Sequence, residues 1–126
     1  MLNIEVANTI LYCKNWDECV VFYKTKLKLP IMMSRSWFIE FKLNESSRLS
    51  IADATKTTMD SNEGKGITIT FRVADIFTTH SYLTKLGVNP TLVKEHPWGA
   101  KVLYIYDPDG NRIEFWSTNR RNVRVD

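Results

Sequence analysis

Residues 67–88 read ITITFRVADIFTTHSYLTKLGV, a strand, a cap and a helix written in one line. Ile67, Ile69, Phe71 and Val73 alternate with Thr68, Thr70 and Arg72, the period of a half-buried strand. Asp75 stands where a helix N-cap belongs, and the helix is expected from about Ile76 to Leu86. Gly87 supplies a residue that tolerates the left-handed conformation, and Pro90 lies just beyond it. Shifted upstream by 59, Thr68-Ile69 falls on Thr9-Ile10, Tyr82 on Tyr23, and Thr84-Lys85-Leu86 on Thr25-Lys26-Leu27. Six identities in nineteen positions, in the same strand-then-helix context, mark the chain as a duplication.

Reading outward, the first copy has a strand from Ile4 to Cys13 and Asn15 as N-cap of a helix from Trp16 to Lys28. Cys19, Phe22, Tyr23 and Leu27 share one face of that helix, and Pro30 stops it. Three short strands follow: Ile31–Ser34, Trp37–Leu43 and Arg48–Ala52. Residues 53–65 are polar and read as the linker between copies. The second copy adds a short strand near Thr91–Lys94, then Lys101–Tyr106 and Arg112–Ser117. Asp107-Pro108-Asp109-Gly110-Asn111 between the last two is a turn, with Pro presetting φ and Gly and Asn accepting positive φ. Each copy is thus a βαβββ module, module one over about residues 1–60 and module two over about 64–117. Neither alone buries much surface. The expected fold class is α+β: one domain over residues 1–126, two modules forming a curved mixed sheet with a concave cleft and helices outside. Residues 118–126 form a polar tail carrying Arg120, Arg121 and Arg124.

Composition excludes several classes of function. Of 126 residues, 44% are hydrophobic and 25% charged, the balance of a globular domain. Seventeen Lys and Arg against fourteen Asp and Glu give +3, too little without clustering for nucleic acid. The longest apolar runs are five residues, Cys19–Tyr23 and Val102–Tyr106, where a membrane span needs about 20. Residues 1–10 lack a basic flank and an apolar signal core, so a cytoplasmic domain is expected. Two cysteines, Cys13 and Cys19, are too few for a disulfide scaffold, and both fall where strand and helix should bury them.

Phe22-Tyr23-Lys24-Thr25-Lys26-Leu27-Lys28-Leu29 resembles the FYxxxLGL segment of the vicinal oxygen chelate superfamily, with Lys28 where Gly is usual. Tyr82–Val88 repeats it. Trp98-Gly99 and the run from Tyr104 to Phe115 resemble the closing segment of that superfamily. It includes glyoxalase I, extradiol dioxygenases, fosfomycin-resistance proteins, methylmalonyl-CoA epimerase and bleomycin-binding proteins. The resemblance covers residues 4–117 and implies the fold above and a homodimer. In metal-dependent members four ligands line the cleft, from the first and last strand of each module. By position these are Asn8, Ser50, Thr68 and Glu114 here, and only Glu114 has the side chain such a site wants. His80 lies mid-helix, and His96 sits on a loop that borders the cleft in this fold.

Alternation puts Asn8, Ile10 and Tyr12 on one face, Thr68, Thr70 and Arg72 on another strand's matching face, and Arg112, Glu114 and Trp116 beside them. A Glu114 facing the cleft without a metal wants a cation or hydrogen-bond donors, and Arg72 or Arg112 is the expected partner. Fifteen aromatics supply walls, with Trp37 at a strand start and Trp98 in a loop least bound to a core. The expected role is a small-molecule binder of the glyoxalase/bleomycin-resistance type, without a complete metal site and needing no cofactor. It would hold an aromatic or amphiphilic ligand through Asn8, Tyr12, Trp37, Ser50, Thr68, Arg72, Trp98, Arg112, Glu114 and Trp116. The alternative is a glyoxalase I-like lyase or isomerase using a divalent metal, with Glu114 as ligand and catalytic base. Metal-free chemistry with Glu114 as general base is a third reading.

Overall fold

The computed structural model describes residues 1–118, so the basic tail lies outside the described residues apart from Thr118. The chain divides into two units, residues 1–65 with Pro108–Gly110, and Gly66–Asp107 with Asn111 onward. Each contains one four-stranded mixed sheet and one main helix, the α+β class expected of two βαβββ modules. No helix among the described residues is long and apolar enough to cross a membrane.

In the first unit β1 (Ala7–Cys13), β2 (Ile31–Arg35), β3 (Phe38–Asn44) and β4 (Ser47–Asp53) lie in the order β1-β4-β3-β2. β1 runs parallel to β4 and the other pairs are antiparallel. Leu11 and Cys13, Ile39 and Phe41, and Leu49 and Ile51 are buried on one sheet face. The helix covers it with Cys19, Phe22 and Tyr23, and the Tyr23 ring packs 6.1 Å from Phe41 and edge-on to Phe22 at 4.9 Å. Each fully buried side chain of this size contributes about 1.5–3 kcal/mol.

That helix is not the uniform α-helix the spacing predicts. α1 covers Trp16–Val20, and Val21–Lys26 winds as a π-helical turn. Leu27 N–H donates to Phe22 O at 2.9 Å, one residue further back than an α-helix allows. The wider turn lets the sequence neighbours Phe22 and Tyr23 both face the core. Pro30 is not the stop either: Lys28 takes φ +57° and Leu29 N–H returns to Tyr23 O, closing the helix two residues earlier. A left-handed residue where the resembling sequences carry Gly is the physical terminator.

In the second unit β5 (Thr68–Arg72), β6 (Lys94–Glu95), β7 (Ala100–Tyr106) and β8 (Arg112–Thr118) are ordered β5-β8-β7-β6. α2 spans Ile76–Leu86 with Asp75 accepting from the Phe77 and Thr78 N–H groups and Gly87 left-handed at its end, as read from the sequence. Ile76, Leu83, Val88, Leu103, Ile105 and Ile113 form its core, with Phe71 5.5 Å from Phe115. The strand expected near Thr91–Lys94 is displaced to Lys94–Glu95. Thr91 instead clips β7 by two bonds, its N–H to Tyr104 O and its Oγ1 accepting from Tyr104 N–H, both 2.9 Å.

Candidate functional site

The open face of the second sheet collects polar and aromatic side chains in register. Parallel pairing sets Thr68 beside Arg112, Thr70 beside Glu114 and Arg72 beside Trp116. Across β8, Tyr106, Tyr104 and Val102 stand opposite the same three. The Thr70 hydroxyl donates to Glu114 Oε1 at 2.5 Å. Arg112 donates from Nε and Nη2 to Thr68 Oγ1 at 3.0 and 2.8 Å, and its guanidinium lies 4.8 Å from the Tyr104 ring centre. Arg72 lies 5.3 Å over Trp116. Burial first, and the Glu114 carboxylate second, push the Tyr104 hydroxyl above its ordinary pKa, against the pull of Arg112.

The expected ion pair between Glu114 and Arg72 or Arg112 is therefore not the one made. Among the described residues Glu114 has no salt bridge. Its level in the sheet is shared with Thr70 and Tyr104, whereas each arginine sits one level away and lies over a ring.

The first sheet repeats the layout with different chemistry. Asn8 pairs with Arg48 as Thr68 does with Arg112, and Ser50 occupies the Glu114 level, opposite Glu40 rather than Tyr104. The Ser50 hydroxyl donates to Asn8 Oδ1 at 2.8 Å, so two of the four positions taken from the resemblance do meet. Arg48 is neutralised and tied back: Nε sits 3.4 Å from Glu40 Oε2, and Nη1 reaches the carbonyls of Asn44, Glu45 and Ser47. Glu40 and Arg48 are not expected at the site from the sequence, and Thr70, though placed on the right face, and Tyr104 are absent from the expected binding set. Counting by two from Ser50 and Glu114 and pairing strands in register would have found all four.

Of the other predicted residues, Tyr12 is half-buried on β1, and Trp37 precedes β3 with its ring 5.5 Å from Phe38. Trp98 is 70% exposed in the β6–β7 turn, stacked 5.7 Å from His96, beyond the end of β7 away from Arg112. His80 is half-buried in α2, its Nε2 without a hydrogen bond among the described residues. Cys13 and Cys19 are both buried.

Asn15 is the N-cap residue of α1, its carbonyl accepting from Cys19 N–H at 3.0 Å, but its side chain makes no capping bond. Its N–H and Nδ2 donate to Asp109 Oδ1 at 2.8 and 3.0 Å, while Lys14 N–H and the Ser61 hydroxyl each reach Oδ2 at 2.6 Å. Burial alone would raise the Asp109 pKa, but these donors outweigh it and hold the carboxyl below its ordinary value. Two residues away, Asn111 N–H and Nδ2 bind both Asp107 oxygens at 2.9 and 2.8 Å, which shapes the turn. The sequence motif reads as a turn alone; its anchoring role shows only in three dimensions.

Residues 6–118 match the Glyoxalase-like domain family. The chain belongs to that family. Its fold is shared at 18% identity with a glyoxalase/bleomycin resistance protein/dioxygenase from Nocardioides, with a TM-score of 0.76 over 100% of this chain and 92% of that one. A lactoylglutathione lyase from Agrobacterium tumefaciens gives 0.73 at 18% identity over 93% and 96%. An antibiotic-binding protein from Streptomyces sp. CB03234 gives 0.73 at 19% identity over 94% and 99%. No curated protein sequence matches the chain. The family match places this glyoxalase-like domain in the vicinal oxygen chelate superfamily, and the likenesses to solved structures speak to fold alone.

Metal-dependent members of the superfamily need four good donors, and this glyoxalase-like chain supplies a poor set. Asn8 Oδ1 is taken by Ser50, and Thr68 Oγ1 holds two N–H groups of a guanidinium. A cation fixed on a ligand position opposes a divalent ion there. Among the described residues no group of three or more His, Cys, Asp and Glu stands together.

Proposed function

We propose that this glyoxalase-like domain binds an aromatic or amphiphilic small molecule on the open face of its second sheet, without a metal. The observation that carries the reading is Arg112 on Thr68, a cation where chelating relatives keep a ligand. The same face offers the Tyr104 and Trp116 rings and the Glu114 and Thr70 polar pair, the mix that small-molecule sites use. Thr68 and Arg72 lie on the same face and belong to the proposed binding set, while Asn8, Tyr12, Ser50 and Trp37 lie on the other unit, Ser50 fully buried there. The likeness to an antibiotic-binding protein agrees with this role and does not name the ligand. A homodimer and a cytoplasmic location are part of the same proposal, the dimer being checked by sedimentation equilibrium.

Chelator-treated protein titrated with a panel of aromatic molecules, followed by calorimetry, tests the role. Saturable binding that is unchanged by EDTA supports it. Binding or glyoxalase-type isomerase activity that appears only with an added divalent ion favours the metal-dependent alternative, with Glu114 as ligand and base.

A further inference from the structure

The two modules carry one arginine at the same level, and they treat it differently. Arg48 and Arg112 both begin the polar face of the last strand, each beside the side chain of the parallel strand, Asn8 or Thr68. In the first module the next level up holds Glu40, which pairs with Arg48 Nε, and Nη1 turns back onto the main-chain carbonyls of Asn44, Glu45 and Ser47. The Arg48 side chain is 11% exposed. In the second module the level of Glu40 is filled by Tyr104, which gives Arg112 a ring and no charge.

Arg112 is left half-used. Its Nε and Nη2 are spent on the single oxygen of Thr68, which fixes the plane of the guanidinium. Nη1 and the second Nη2 proton have no acceptor among the described residues, and the residue is exposed. Arg72, exposed on the same face, makes no hydrogen bond or ion pair among them either. A guanidinium held by two bonds to one oxygen over a ring, with its outer edge free, is preorganised for the two oxygens of a carboxylate. Beside it Glu114, already tied to Thr70, keeps acceptor capacity for a donor on the ligand.

Resting on the binding role proposed above, we infer that the ligand is an aromatic carboxylate, its acid group held by the free edge of Arg112 beside the Tyr104 ring. Arg72 stands four residues along the neighbouring strand, about 13 Å away at strand spacing, and adds attraction rather than a second clamp for a small acid.

The test compares 2-naphthoate with its neutral isostere 2-naphthamide by calorimetry at low ionic strength, on the full chain. The expected result is at least tenfold tighter binding of the acid. Arg112→Gln should bring the two affinities within twofold, Arg112→Lys should keep part of the preference, and Arg48→Gln should leave it unchanged. Circular dichroism confirms that each variant is folded. Equal affinity of acid and amide in the unmodified chain overturns the inference and leaves the binding role standing. A preference that survives Arg112→Gln overturns the assignment to Arg112. No heat from either probe at millimolar concentration removes this face as an aromatic-binding surface, and the inference with it.

Discussion

Replacing Asp109 by Asn should loosen the anchor that holds the turn 108–110 on the first unit. Four donors converge on that carboxylate, two of them main-chain N–H groups at 2.6 and 2.8 Å. An Asn amide keeps one acceptor oxygen, which can serve Asn15 as Oδ1 does now. Its NH2 group would then face Lys14 N–H and Ser61. The hydroxyl can turn and accept, but the Lys14 N–H cannot, so one part-buried donor loses its partner. An orphaned donor costs about 1–3 kcal/mol, and the loss of charge weakens the remaining bonds. Asp109→Asn should therefore destabilise by about 2–3 kcal/mol at pH 7. With an m value of about 1.5 kcal/mol/M in urea, the midpoint falls by about 1.3–2 M. The folded-state pKa is depressed, so this contribution is complete above the unfolded value near 3.9 and is lost as pH falls through the folded one. The gap between the unmodified chain and the variant should thus be full at pH 7 and shrink below about pH 4. Urea unfolding followed by tryptophan fluorescence at pH 7 and pH 3 reads both. A loss under about 0.5 kcal/mol at pH 7, or a gap that does not change between the two, would refute the reasoning.

Gly110 has φ +89°, and a Cβ there would come within 2.9 Å of Glu63 O, a main-chain atom. Gly110→Ala should cost about 1–3 kcal/mol by thermal or urea unfolding. Lys28→Gly should instead stabilise by up to about 1 kcal/mol, since the side chain sits at φ +57° at the helix end. Glu114→Gln should lower the Tyr104 pKa only in part, because burial is the larger cause; an NMR titration of the tyrosine rings measures it.

The duplicated strand-cap-helix pattern was legible because it rests on local chemistry: alternating side chains, an Asp cap and a Gly stop, all within 22 residues. Asp75 does in the structure what its type and position dictate. Asn15, in the matching place, does not, because the Asp109 carboxylate lies 94 residues along the chain and competes for it. No local window contains that competition. The π-helical turn at Val21–Lys26 is likewise set by packing, since two adjacent aromatics must both reach the core. At the site, alternation correctly put Asn8, Thr68, Arg112 and Glu114 on open faces, yet pairing followed strand register. A one-level offset decides that Glu114 meets Thr70 rather than an arginine, and single-strand periodicity carries no register.

Metal binding tests the central claim most directly. Chelator-stripped protein is titrated with nickel, zinc and manganese while tryptophan fluorescence and calorimetry are recorded, alongside elemental analysis of untreated protein. The account predicts no stoichiometric metal and no saturable response below about 100 μM, since Arg112 occupies Thr68 and one carboxylate makes a poor set. One equivalent bound at micromolar affinity or better, lost on Glu114→Gln, would contradict it.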